Sequence, residues 1–442
     1  MATVTTTLEP SNPQTVQEDL FRPLRGASPR YLLATALSGL VVLWAGFAWS
    51  YQLVEGIGVA GIRRPVFWGF YIVNFVFWIG ISHAGTLISA ILRLTDAGWR
   101  RPVTRAAEAI TVFALMIGGT FPIIHLGRAW LFYWLIPYPN ERLLWPNFRS
   151  PLLWDMTAIF VYVTGSTLYL YLPLIPDLAR LADNTSGLRS RIYRLLSLGW
   201  TGSDRQWHAL ERAMKLMAGM ILAVAVSVHS VVSFDFAMAL APMWHSTIFA
   251  PYFVAGAIFS GIAALVLVMA SLRHFLHLES YLRPLHFDNL GKLLLLMSLV
   301  WLYFTMSEHL TVWYGNEHAE MAVFNSRVYG AYAPLFWLML TCNFVVPFVL
   351  LGIRRLRSIT TVCISGVAVL LGMWLERFLI IIPSLAQQPL AASWGTYAPT
   401  WVEISITAGT FAGMVFLYLI FSKLVPIIAI WEYRDAADHR IS

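Results

Sequence analysis

Residues 66–92 read VFWGFYIVNFVFWIGISHAGTLISAIL, 27 residues without one Asp, Glu, Lys or Arg. As an α-helix such a stretch is about 40 Å long, more than the roughly 30 Å hydrocarbon core of a bilayer. It is apolar on every side, so it belongs in lipid or at the centre of a helical assembly. Arg93 closes it. Working outward, the same pattern recurs, with spans at about 30–54, 66–92, 103–134, 151–178, 210–238, 247–275, 286–313, 329–352, 358–382 and 398–431. The chain of 442 residues is 58% hydrophobic and 12% charged, about half the charge of a soluble domain. The fold expected is an all-α polytopic membrane protein of about ten transmembrane helices. Residues 1–29 read as a polar, largely disordered cytoplasmic tail, 30–431 as the membrane domain and 432–442 as a second cytoplasmic tail.

Ten spans place both termini on one side, and the positive-inside rule selects it. Segments sharing a side with the termini carry 23 Lys and Arg, including Arg100, Arg101, the stretch Arg189 to Lys215, and Arg354, Arg355 and Arg357. The other side carries six: Arg63, Arg64, Arg128, Arg142, Arg149 and Arg327. Arg377 falls inside a span. Both termini are therefore expected in the cytoplasm, and the formal charge of +7 reflects loop arginines facing an anionic leaflet rather than nucleic acid. MATVTTTLEP lacks the basic-then-apolar order of a cleavable signal peptide. Cys342 and Cys363 lie singly in apolar spans and cannot supply a four-thiolate cluster. The outer loops are aromatic, as in LFYWLIPYPNERLLWPNFRSP (131–151), which reads either as an interfacial belt or as a platform for an extracytoplasmic partner.

A faint repeat is present. Spans 2 and 6 follow prolines (Pro65, Pro251), carry Gly80-Ile81 and Gly261-Ile262, and end near Arg93 and Arg273. Histidines align in HLGRAWLFYW of span 3 and HLTVWYG of span 7. This predicts two four-helix bundles, spans 2–5 and 6–9, with spans 1 and 10 flanking.

Ionisable residues inside the spans gather near the outer helix ends. His125 and Arg128 close span 3, Asp155 opens span 4, and His229 and Asp235 lie in the outer third of span 5. Glu308 and His309 close span 7, Glu376 and Arg377 close span 9, and Glu403 opens span 10. Read singly, each has a plain explanation. His125 can be a core histidine, and Asp155 can cap its helix. Asp235 can reach interfacial water, and Arg377 can snorkel or neutralise Glu376. Glu308 and Glu403 read as structural. A ring of them at one depth, from six helices, reads as a site.

Quinol oxidation wants such a set. It releases two electrons and two protons, and the hydroxyl protons need bases tuned near the working pH. Histidine offers one and a partly desolvated carboxylate another. A guanidinium can orient a carboxylate or steady a quinone oxygen. A bis-histidine haem would need two facing histidines at one level. His125, His229 and His309 share a depth, whereas His83 stands alone in the inner half. The reading taken is a chain with no haem or metal of its own, so electrons leave to a partner on the outer face.

The span 2 stretch FWIGISHAGTLISAILRL, with Ser82-His83-Ala84-Gly85-Thr86, resembles the membrane anchors of the NrfD/polysulfide reductase family. So do FPIIHLGRAW of span 3 and SPLLWDMTA of span 4. Within that family the ten spans, the long basic loop after span 4 and the aromatic outer loops look most like the quinol-oxidising ActC subunits of bacterial alternative complex III. The resemblance covers about residues 30–431 and is most specific in spans 2–4. It implies a quinol-oxidising subunit of a quinol:electron-acceptor oxidoreductase in the bacterial cytoplasmic membrane, active only with its partners. Those partners would be an extracytoplasmic iron–sulfur subunit, multihaem cytochrome c subunits and a paralogous membrane anchor, with menaquinol as the usual family quinol. The family's quinol-site histidine and aspartate match His125 and Asp155, which become the catalytic candidates, and Asp235 and Arg377 match the acid and arginine that close the pocket. Shorter family members have eight spans, so spans 1 and 10 are a departure.

His83, His229, Glu308 and His309 are candidates for proton transfer. Ser82, Thr86 and Ser89 form a polar stripe beside His83, and the alternative is a core histidine. Two rivals remain at this stage. A secondary transporter would site its residues near the midplane at broken helices, and only Gly118-Gly119 and Pro122 supply such a break. The other is the paralogous ActF-type anchor, which does not use quinol at this place.

Overall fold

The computed structural model describes residues 13–136 and 148–433. Arg142, with most of the aromatic loop around it, and the tails 1–12 and 434–442 lie outside the described residues. Among the described residues the secondary structure is helical, with no strand. The helices are α1 (Pro13–Arg25), α2 (Pro29–Glu55), α3 (Gly69–Leu94), α4 (Thr104–Gly118), α5 (Phe121–His125), α6 (Pro151–Tyr171), α7 (Ile175–Asp183) and α8 (Gly187–Leu196). They continue with α9 (Asp204–Ala237), α10 (Phe249–Phe275), α11 (Pro284–Gly315), α12 (His318–Val328), α13 (Ala333–Leu340), α14 (Val346–Gly352), α15 (Ile359–Ala386) and α16 (Trp401–Leu424). Among the described residues ten helical segments are long and apolar enough to cross a membrane, α4–α5, α6–α7 and α13–α14 each counting as one. The chain is an integral membrane protein.

Local signals set the boundaries. Ser28 accepts from the Tyr31 amide at 3.2 Å and Pro29 opens α2, an N-cap followed by the residue that lacks an amide donor. The Glu403 carboxylate returns to the Thr400 amide at 3.1 Å and caps α16. It also holds the outer loops, accepting from the Gly61 amide and the Tyr397 hydroxyl, both at 2.6 Å.

α3, the charge-free stretch, is the axis of the molecule. Nearly all of it is buried, which explains why no side of it is polar. α3, α4, α6 and α9 close one ring of packed helices, and α10, α11, α13–α14 and α15 close another. The bundles meet where α3 packs on α10. α15 reaches across to α3, and α9 reaches across to α10. Exchanging span 2 with 6 and span 5 with 9 turns one of these contacts into the other, as the repeat requires. α2 and α16 pair with each other and lean on the first bundle through α4 and α3. Gly85 allows α3 and α4 to touch, since a Cβ there would collide with the Ala107 carbonyl.

Three segments depart from the sequence reading. Span 3 does not run as one helix from 103 to 134: α4 ends at the glycine pair 118–119 and Pro122 starts a new short turn. Span 10 ends at Leu424, before Pro426, rather than at 431, and residues 425–431 turn back and are buried. Residues 13–25, read as part of a disordered tail, form α1, with Val16, Leu20 and Phe21 buried on one face. The four-residue spacing of Val16 and Leu20 is helical, and polar composition hid it.

Candidate functional site

At the end of the first bundle opposite the chain termini, α5 presents His125 as its last residue. The ring packs edge-on to Tyr71, 6.5 Å between centroids. Gln52 of α2 fixes this corner. Its amide nitrogen donates to the Ile124 carbonyl at 3.0 Å, and its oxygen accepts from the Tyr71 hydroxyl. The His125 Nδ1 is buried and has no partner among the described residues.

Asp155 stands in the second turn of α6, buried. Asp235, third from the end of α9, brings its carboxyl into hydrogen-bonding contact with it. A carboxylate has no donor, so this contact is a hydrogen bond only while one of the two holds a proton. One oxygen of each remains buried and unpartnered. Two acids on neighbouring helices thus hold each other, with no arginine or lysine paired to either among the described residues.

Arg377 is not part of that pair. Its guanidinium meets Glu376 at 2.9 Å and lies 4.5 Å over the Phe253 ring. Gly256 makes room, since a Cβ there would come within 2.8 Å of Nη2. Glu376 also accepts from the Trp301 indole at 2.5 Å. Of the two plain readings of Arg377, snorkelling and neutralising Glu376, the structure selects the second. His229 faces the same Phe253 ring at 6.0 Å and packs with its ring tilted against His83 at 4.4 Å, so His83, His229 and Arg377 meet at the seam between the bundles. Both His229 nitrogens are buried and without a side-chain partner among the described residues.

Each His83 nitrogen faces a backbone carbonyl, Ile79 at 2.6 Å and Ala225 at 2.7 Å. Carbonyls do not pass protons on, so this geometry is a clamp between α3 and α9. In the second bundle Glu308 lies 3.9 Å from Arg327, which also donates to Ser384 at 2.9 Å. His309 Nδ1 contacts the Thr305 carbonyl at 2.8 Å. The expected ring therefore separates: Asp155 meets Asp235, His229 and Arg377 meet His83 at the seam, Glu308 meets Arg327, and His125 packs on Tyr71.

The sequence reading missed Glu108. It is buried in the inner part of α4, with one oxygen accepting from Ser89 at 2.6 Å and the other unpartnered. Ser89 contacts Tyr169 at 3.3 Å, and above them Thr86 meets Thr111 at 3.0 Å and Tyr162 at 3.3 Å. An ionic floor lies below: Glu432 between Arg93 and Arg100, and Arg105 on Asp177 and the carbonyls of Pro426 and Ile428. The available signal was one acid among alanines, RAAEAITVF, near a span edge where acids are ordinary.

Residues 58–389 match the model of the NrfD family, described as polysulphide reductase, NrfD. The chain belongs to this family. It is 27% identical over 395 residues, 84% of this chain and 86% of the other, to the C-type membrane protein of a putative dimethyl sulfoxide reductase of Halobacterium salinarum. It is 25% identical to the C component of the selenate reductase of Mesobacillus selenatarsenatis, covering 85% and 89% of the two chains. An Hdr-like menaquinol oxidoreductase integral membrane subunit of Archaeoglobus fulgidus is 23% identical, covering 82% of each. These NrfD-family relatives are membrane subunits of oxidoreductases. Family membership and these relatives together support an integral membrane subunit of an oxidoreductase.

Proposed function

We propose that the chain oxidises quinol at the outer end of the first bundle and passes the electrons to an extracytoplasmic partner. The observation that carries this is the buried Asp155–Asp235 pair, which among the described residues has no counter-cation and leaves one oxygen of each acid without a partner. At the same end of the bundle His125 packs on Tyr71, and its Nδ1 has no partner among the described residues. A quinol has two hydroxyl protons and two electrons to lose. One proton goes to the free oxygen of the acid pair and the other to His125. The two electrons leave to an iron–sulfur centre of the partner, and the quinone returns to lipid. Arg377 acts from the seam, held by Glu376, rather than on the ring. Both protons then exit to the outside, with the termini in the cytoplasm and the chain in the bacterial cytoplasmic membrane.

The menaquinol oxidoreductase name of the Archaeoglobus relative supports menaquinol as substrate. The ten spans and aromatic outer loops support an ActC-type place in an alternative complex III, with multihaem cytochrome c and a paralogous anchor beside the iron–sulfur subunit. The alternatives of a transporter and of an ActF-type anchor are separated by copurification and by turnover. His125→Ala and Asp155→Asn, made in the intact complex, should each cut quinol oxidation about 10²-fold or more. Assembly and haem content of the complex should be retained. Near-normal turnover in both variants would overturn the assignment.

A second reading adds proton translocation, and Glu108 favours it. A buried acid stands at the foot of a hydroxyl ladder that climbs toward His83 and His229. Water would have to bridge the clamp at His83. The proton-to-electron ratio in liposomes decides between the readings.

A further inference from the structure

α8 carries an apolar stripe that the rest of the chain leaves uncovered. One side of the helix is fastened down. The Tyr193 side chain is buried and its hydroxyl donates to the Leu424 carbonyl at 2.6 Å. Arg189 donates to the Lys423 carbonyl at 2.7 Å, and Ser190 donates to the Ala182 carbonyl of α7 at 2.7 Å. The other side holds Leu188, Ile192 and Leu195, at i, i+4 and i+7, so they share one face. Leu188 is 74% exposed and Leu195 75%. The direction of Tyr193 and Ser190 is roughly opposite to theirs on the helical wheel, so the stripe points away from the protein. Arg191 and Arg194, both exposed, flank it on one side. GLRSRIYRLL has three arginines and no acid.

An apolar face this exposed is not left to water in a stable protein. Depth identifies its cover. Leu424 is the last residue of the membrane-crossing helix α16, so α8 is tied at the level where that helix leaves the hydrocarbon. An amphipathic helix at that level, with leucines on one face and arginines at its border, has the composition of an in-plane membrane helix. We propose that α8 lies in the leaflet on the side of the termini. Leu188, Ile192 and Leu195 enter the acyl chains, and Arg191 and Arg194 bind the phosphates of anionic phospholipid. The attraction is charge-assisted hydrogen bonding added to the surface potential of an anionic leaflet. Lys423 also donates to the Pro23 and Gly26 carbonyls, so the same point ties α1 to the end of α16. The lipid contact would thereby brace the inner ends of the flanking pair. None of this depends on the quinol reading.

The test places p-benzoyl-phenylalanine at Leu195, an exposed position, in the full complex in native membranes. After illumination, adducts are identified by mass. The expected result is a phospholipid adduct, enriched several-fold in anionic species over their share of the membrane. Arg191→Gln with Arg194→Gln should return that enrichment to the bulk value while the lipid adduct persists. A protein adduct would overturn the proposal in favour of a partner subunit. Lipid adducts of bulk composition with both arginines present would overturn the headgroup site.

Discussion

The two bundles carry comparable sets of buried acids at their outer ends and treat them in opposite ways. In the second bundle each acid has an arginine: Glu376 with Arg377 at 2.9 Å, and Glu308 with Arg327 at 3.9 Å. In the first bundle Asp155 meets Asp235, and among the described residues neither acid has an arginine or lysine. A buried acid matched by a guanidinium is held in one charge state and fixes geometry. A pair of acids that share a proton can take up or release one. On the proposed reading, similar residue types at similar depth serve as scaffold in one bundle and as chemistry in the other, and the counter-ion makes the difference.

The largest expected effect lies in the second bundle. Arg377→Ala strands the buried Glu376, and breaking such a pair costs about 3–5 kcal/mol. Thermal unfolding and yield of the assembled complex should fall sharply, and adding Glu376→Leu should recover much of the loss. If Arg377→Ala is as stable as the parent, the second bundle is not held by its ion pairs and the contrast fails.

The first bundle should behave the other way. Asp235→Asn keeps the contact with Asp155, because the carboxamide donates where a protonated acid did. Stability should hold while quinol oxidation drops about 10²-fold. Glu308→Gln should leave turnover close to normal. Equal losses in both, at equal stability, would show that the acids of the two bundles act alike.

A smaller effect is expected at Glu108. Glu108→Gln preserves the contact with Ser89 and should leave quinol turnover near normal. If the ladder conducts protons, the proton-to-electron ratio measured in proteoliposomes falls. An unchanged ratio makes Glu108 part of the inner structural layer. The smallest effect belongs to Arg22→Ala, which removes an exposed pair with Asp19 at 3.8 Å. Chemical or thermal unfolding should move by no more than about 1 kcal/mol.

Much of this was legible from the chain. Hydropathy fixed ten spans because the length of an apolar run is a local property that needs no partner. The Gly-Ile pairs and aligned histidines predicted two bundles, and packing arranged them so. His125, Asp155 and Asp235 were visible as ionisable groups near the outer helix ends. Arg377 was visible as well, but its neighbours were not. Position along a helix gives depth, and azimuth around it depends on how the helix packs. That is why one apparent ring resolved into an acid pair, an inter-bundle seam and a salt-bridged cluster.

The sequence by itself determined the membrane class, the number of spans, the excess of arginine on one side and the level at which ionisable groups collect. These follow from one-dimensional quantities: run length, charge count and residues from a helix end. Only the tertiary structure decided which acid meets an acid and which meets an arginine. It also decided that His83 bridges two carbonyls, that Glu108 is buried and that α8 faces outward. The Asp155–Asp235 and His83–Ala225 contacts join helices far apart in sequence, and such contacts are set by rotations and tilts that the packing of large side chains against glycines such as Gly256 selects.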